Sequence, residues 1–233
     1  MRRLNEQFST YTLLSDVKTL NQNTSAQVFS HKFGLNATFP RLLFTGDSLG
    51  YLYRDFSHDF GIPEHLLFDG YSAQVRRNTL FIKTVKKYYS QYHTSIPSRP
   101  SENPSEGSIR ELKKIWYRIM LKNKAPKRLR DYGPVWIIKT ENVSVLSSCY
   151  ASRRTPLEYI TGETPNISEY LDLTFYDCVT YRANVGLVEL SIGRWLHVYY
   201  KVGQTISYWI LPFSVIVITC TTEQRLTHSK KAT

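Results

Sequence analysis

Cysteine is scarce in this chain: the 233 residues hold three, Cys149, Cys178 and Cys220. Their number is odd, their spacings are wide, and no Cys-x-x-Cys pair occurs. That argues against a disulfide framework and against a zinc module, so a reducing compartment is expected. No apolar run follows Met1-Arg2-Arg3-Leu4-Asn5-Glu6, so no secretory leader is expected. The expected location is intracellular, nuclear or cytoplasmic. The most apolar stretch, Ile206 to Cys220, is broken by Pro212 and falls short of the ~20 residues that span a membrane. No membrane partner is expected. The chain also lacks Gly-x-Gly-x-x-Gly, a phosphate-binding P-loop and Gly-x-Ser-x-Gly. Those absences remove the common signals for a small-molecule nucleotide cofactor and for a serine hydrolase.

Acidic residues are also few, 19 against 30 Lys and Arg, which leaves a formal charge of +11. The imbalance is local. Residues 76–130 carry 15 Lys and Arg and three acids, Glu102, Glu106 and Glu111, which is +12; the remainder of the chain sums to −1. A general solubilising surface would not be so lopsided. A concentrated basic segment suits a polyanion, and nucleic acid is the first such partner. Hydrophobic residues make up 42% of the chain, enough to build a core.

Strands are predicted at Thr10–Leu14, Ala26–His31 and Ala37–Pro40. A helix should follow with Asp47 as its N-cap and Leu49, Leu52, Phe56 and Phe60 on one face. Gly61-Ile62-Pro63 ends it. His65–Asp69 reads as a short buried strand with a carboxylate at its end. A helix over 78–89 should turn Leu80, Phe81, Val85 and Tyr88 inward and Lys83, Lys86 and Lys87 outward. A short strand near His93–Ile96 and a Pro- and Ser-rich loop over Pro97–Ser105 come next. Glu106 then opens a helix with an apolar stripe of Ile109, Leu112, Trp116, Ile119 and Met120. Further helix is predicted at Arg128–Ile138 and from Thr155-Pro156. After Asn166 the chain becomes rich in aromatic and β-branched residues, which predicts a small β unit. Strands that come first and then alternate with helices predict an α/β fold: a mixed sheet flanked by helices.

Two carboxylates draw attention. Asp69 ends a buried strand before Gly70, and Glu106 opens a helix after a loop. Converging at a sheet edge, such acids could hold Mg²⁺, whose preferred ligands are carboxylate oxygens and water. Paired ions of this kind drive displacement at phosphorus. An Asp before Gly is more often a turn residue, and a Glu in a first helical turn more often serves the helix dipole. The basic stretch around Glu106 weighs toward the metal reading, because a phosphodiester needs cationic walls.

Leu67-Phe68-Asp69-Gly70 and Asn103-Pro104-Ser105-Glu106 together resemble segments of the integrases of copia-type retrotransposons. The likeness continues at Asp131-Tyr132-Gly133, at Thr155-Pro156-Leu157-Glu158, at Thr161-Gly162-Glu163-Thr164-Pro165 and at Gly193-Arg194-Trp195-Leu196. This resemblance implies a ribonuclease H-like core over residues 1–160, a β-rich C-terminal module over 161–227 and a disordered tail over 228–233. It implies DNA integration by Mg²⁺- or Mn²⁺-dependent nicking and strand transfer, with Asp69 and Glu106 as catalytic, metal-binding acids. Arg110, Lys113, Lys114, Lys122, Lys124, Lys127 and Arg128 would hold DNA. The family works as multimers, which implies a homo-oligomer.

The chain departs from the family in two places that matter. Ser9-Thr10-Tyr11-Thr12-Leu13 stands where the family carries its first acid, so Tyr11 occupies the position of a catalytic Asp. A neutral phenol is a poor ligand for a hard cation. Arg130 stands where the family has Trp. His31, His58 and the three Cys lack the spacing of the family's His-His-Cys-Cys zinc module. The expectation is a truncated, catalytically impaired integrase; the alternative is a non-catalytic DNA-binding remnant or a domesticated nucleic-acid-binding protein.

Overall fold

A computed structural model describes residues 2–32, 34–41, 46–68, 79–95, 104–145, 153–162, 164–165, 173–181, 191–202, 205–212, 218–221 and 227–228. The chain divides into two compact units, one of residues 1–116 with 127–165, the other of residues 117–126 with 166–233.

The first unit is built on a five-stranded sheet in the order β3-β2-β1-β4-β5. Its strands are β1 (Arg3–Leu14), β2 (Ser25–His31), β3 (Asn36–Arg41), β4 (Ile62–Phe68) and β5 (Gln91–Thr94). β1 lies at the centre, antiparallel to β2 and parallel to β4. A parallel neighbour cannot be reached by a hairpin. The chain crosses over through α1 (Gly46–Asp59), and α2 (Leu80–Lys87) lies between β4 and β5. The sheet is therefore mixed and flanked by helices, as the order of elements in the sequence predicts.

Strand residues alternate between faces. Register puts Phe8 beside Leu66, Thr10 beside Phe68 and Phe29, and Phe29 beside Ala37. These residues share one face. Leu49, Leu52, Tyr53 and Phe56 of α1 pack on it, with Phe81, Ile82 and Val85 of α2. The α1 stripe follows the predicted spacing, although the helix starts at Gly46 and Asp47 falls inside its first turn. In α2 the buried position is Ile82 while Leu80 is half-buried. The hydroxyl of Thr79 accepts from the Ile82 amide and caps α2, and Lys86 and Lys87 sit where a helix dipole favours cations. β4 begins three residues earlier than predicted and takes in Pro63.

The other helices are α3 (Pro104–Asn123), α4 (Tyr132–Asn142) and α5 (Pro156–Thr161). The predicted Arg128–Ile138 helix is really two pieces, a 3-10 turn at Lys127–Leu129 and then α4. α5 starts where the sequence predicts, with Pro156 opening it, and the Thr155 hydroxyl caps it by accepting from the Glu158 amide at 3.1 Å. Gly162 closes it in the left-handed region (φ 73°), where a side chain would be strained.

The second unit holds an antiparallel sheet, order β10-β6-β7-β8-β9. Its strands are β6 (Cys178–Tyr181), β7 (Ser191–Val202), β8 (Thr205–Pro212), β9 (Ile218–Thr221) and β10 (Thr227–His228). Phe175, Val179, Trp195, Leu196 and Ile210 are buried in it. Among the described residues no helix is long and apolar enough to cross a membrane. Residues 229–233, most of the expected disordered tail, lie outside the described residues.

Candidate functional site

Tyr11 is half-buried on the central strand and pairs with Val28 of β2. Phe68, the last residue of β4, registers with Thr10, the residue before Tyr11. Asp69 directly follows Phe68 in sequence and lies outside the described residues. A buried polar ladder stiffens β1 at this point. Thr10 Oγ1 donates to the Val28 carbonyl at 3.0 Å and accepts from the Gln27 side-chain amide. Thr12 Oγ1 donates to Gln27 Oε1 at 2.8 Å. A fully satisfied network of this kind fixes side-chain position in a low-dielectric setting. Only the pairing of β1 with β2 brings Gln27 to these threonines.

Glu106 is half-buried in the first turn of α3, where a carboxylate meets the positive end of the helix dipole. At the next residue a Cβ built on Gly107 would find no atom within 4 Å. Arg110, Lys113 and Lys114 follow within two turns and are all exposed. Lys114 Nζ bonds Glu111 Oε1 at 2.7 Å. Ile109 and Leu112 of α3 are buried. Lys122 and Lys124 are exposed and belong to the second unit; Lys127 and Arg128 are exposed and belong to the first.

The segment carrying Lys127 and Arg128 is clamped to the turn between β1 and β2. The Leu20 amide donates to the Arg128 carbonyl at 2.9 Å. Asn21 and Asn23 donate through Nδ2 to Asp131 Oδ2 at 3.0 and 3.2 Å, and Asn21 also donates to the Tyr132 hydroxyl at 3.0 Å. Burial pushes the Asp131 carboxyl above its ordinary value, against the pull of hydrogen bonds from Thr19, Asn21 and Asn23. The Arg130 guanidinium pairs with Asp16 and holds that carboxyl below its ordinary value. Asp16 is thereby engaged away from the β1 centre. α4 is tied to the sheet as well: Asn142 accepts from the Asn36 amide at 2.9 Å and donates to the Asn36 carbonyl at 2.7 Å. Gly133 lets Trp116 pass, since a Cβ there would stand 1.5 Å from the indole ring.

Among the described residues no group of three His, Cys, Asp or Glu side chains is placed to hold a metal ion. The Asp131 clamp escaped sequence reasoning because its partners are about 110 residues away. The only sequence signal at this point was the Asp-Tyr-Gly run.

The first unit defines a class. A mixed five-stranded sheet flanked by helices is the ribonuclease H-like fold of integrase catalytic cores. Among solved structures, the catalytic core domain of BIV integrase matches 68% of this chain and 95% of its own length, with TM-score 0.53 and 14% identity. A chain of the simian T-cell lymphotropic virus intasome in complex with PP2A regulatory subunit B56 gamma matches 100% of this chain and 84% of its own. The TM-score there is 0.53 and the identity 13%. At such identity the likeness is one of fold. No family model matches the chain, and no curated protein does.

Proposed function

We propose that this chain is an integrase-type core, of the copia kind, that grips DNA through its cationic α3 face and whose strand-transfer chemistry is impaired. The observation that carries the reading is Tyr11: a phenol sits on the central strand of an integrase-like sheet, one step beyond the register pair that leads to Asp69. Asp69 and Glu106 are hard oxygen donors of the kind that hold Mg²⁺ or Mn²⁺ with water completing the shell. With Tyr11 as the third group the set suits one loosely held ion and does not suit the ion pair that displacement at phosphorus uses. The retained role is then DNA holding. In the first unit Arg110, Lys113, Lys114, Lys127 and Arg128, and in the second Lys122 and Lys124, contact backbone phosphates, and the chain works as a homo-oligomer.

The test is strand transfer on labelled DNA with Mg²⁺ or Mn²⁺, comparing the native chain with Tyr11→Asp. Native activity near zero with activity in the revertant is the expected result. Equal activity in both would overturn the impairment. Duplex binding at low salt that weakens in Lys113→Ala/Lys114→Ala is expected as well; no binding by the native chain would overturn the DNA-holding role.

A further inference from the structure

We infer that the β1–β2 turn, docked on the segment after α3, adds Lys18 as a phosphate contact beside Lys127 and Arg128, beyond the cations of α3 itself. This rests on the nucleic-acid reading above and adds to it a residue and an element that lie outside the basic stretch of the sequence. Lys18 is exposed, and so are Lys127 and Arg128. The clamp brings them together. Lys18 lies two residues from Asp16 and two from Leu20, at most ~7 Å of chain in each direction. Leu20 is hydrogen-bonded to Arg128, and Asp16 is paired with Arg130 and close enough to Lys127 to feel its charge. Arg130 and Lys127 therefore act on the exposed Asp16, Arg130 occupies it, and Lys18 and Arg128 lie close by along the chain.

The surface is also held in place before any partner arrives. Asn21 and Asn23 bond the buried Asp131, the Asn23 amide donates to Thr19 Oγ1 at 3.0 Å, and Ser15 and Thr24 close the turn at 2.9 Å. Cations on an ordered frame give up little freedom on binding. A surface whose exposed charge is so one-sided suits a repeating anion, whereas the cores of protein interfaces are depleted of charge. A nucleic-acid backbone is the partner of that chemistry.

The experiment measures binding of fluorescent duplexes of two unrelated sequences across a salt series. The proteins are the native full chain, Lys18→Ala, Lys18→Glu and Lys32→Ala, each checked by thermal unfolding. Lys32 is an exposed cation elsewhere on the first unit. Lys18→Ala should weaken binding roughly five- to ten-fold at 0.1 M salt for both sequences and lower the salt slope by about 1. Lys18→Glu should weaken it further, and Lys32→Ala should match the native chain. If both Lys18 variants bind like the native chain while Lys113→Ala/Lys114→Ala binds worse, this surface is overturned and the α3 surface stands. Equal losses from Lys18→Ala and Lys32→Ala would reduce the effect to net charge and overturn it too. If the native chain binds no duplex, both readings fail. If a polyglutamate peptide binds more tightly than duplex at the same salt, the partner is an acidic protein and the phosphate assignment is overturned.

Discussion

The α1/α2 side of the first unit and its α4 side are held by different mixtures of contacts. Under α1 and α2 the contacts are almost all aromatic and aliphatic. Phe29 stacks on Phe56 with centroids 4.5 Å apart, Phe56 meets Phe8 edge-on at 5.2 Å, and Phe68 meets Phe81 at 5.4 Å. On the α4 side apolar burial of Leu129, Trp136, Ile137 and Ile138 is joined by directional contacts: Asn142 with Asn36, Asp131 with Asn21 and Asn23, and Trp116 over Gly133. Burial fills space without fixing an angle, whereas hydrogen bonds and close steric fits fix one. The segment that carries Lys127 and Arg128 is among the elements placed by specific contacts.

The largest expected effect is on the aromatic face. Phe29 is fully buried, and Phe29→Ala should cost about 3–5 kcal/mol in denaturant unfolding. A loss under about 1 kcal/mol would show that this face does not carry the unit's stability. On the other side, Gly133→Ala should destabilise by about 1–3 kcal/mol through overpacking on Trp116. In a Trp116→Leu background most of that cost should vanish, and a double-mutant cycle reads the difference. If the two changes are additive, the steric account is wrong. Asn142→Ala leaves the buried amide and carbonyl of Asn36 without their partner and should cost about 1–3 kcal/mol. A neutral outcome would erase the contrast between the faces.

His31 sharpens the comparison further, as a polar group set into the aromatic side. Its ring lies 5.1 Å from that of Phe8, and Nε2 is 3.2 Å from a Glu6 oxygen. Burial lowers its pKa below the ordinary 6.5, and Glu6 offsets only part of that. The folded protein thus binds this proton less readily than the unfolded chain does. The stabilising contribution is complete above 6.5 and is lost as pH falls through that value toward the folded pKa. Unfolding free energies from pH 7.5 to 5 should fall for the native chain relative to His31→Gln; a flat difference would refute this. The smallest effect belongs to the exposed Glu111–Lys114 pair. Lys114→Ala should change stability by less than about 1 kcal/mol while still weakening duplex binding. A larger stability loss would move that lysine from the binding surface to the structural ledger.

Much of the architecture was legible in the residues. The spacing of Leu49, Leu52 and Phe56 fixed the buried face of α1, and Thr155-Pro156 marked the start of α5. β-branched and aromatic runs after Asn166 announced the second sheet. These are local signals, in which each residue reports its own backbone preference or its own burial. The same local logic missed the break between the 3-10 turn and α4, because Asp131 is spent on Asn21 and Asn23 and does not cap α4.

What the sequence determined by itself was the class of chain: a mixed α/β sheet, a β-rich second part, a charge concentrated at 76–130, and a tyrosine among threonines where the resemblance calls for an acid. Tertiary structure decided which distant groups meet. It seated Tyr11 on the central strand beside Val28, brought Gln27 to Thr10 and Thr12, and bonded Leu20 to Arg128, more than a hundred residues away. Periodicity is written along the chain. Proximity across it depends on which strands pair and which helix ends are clamped, and no local pattern encodes that.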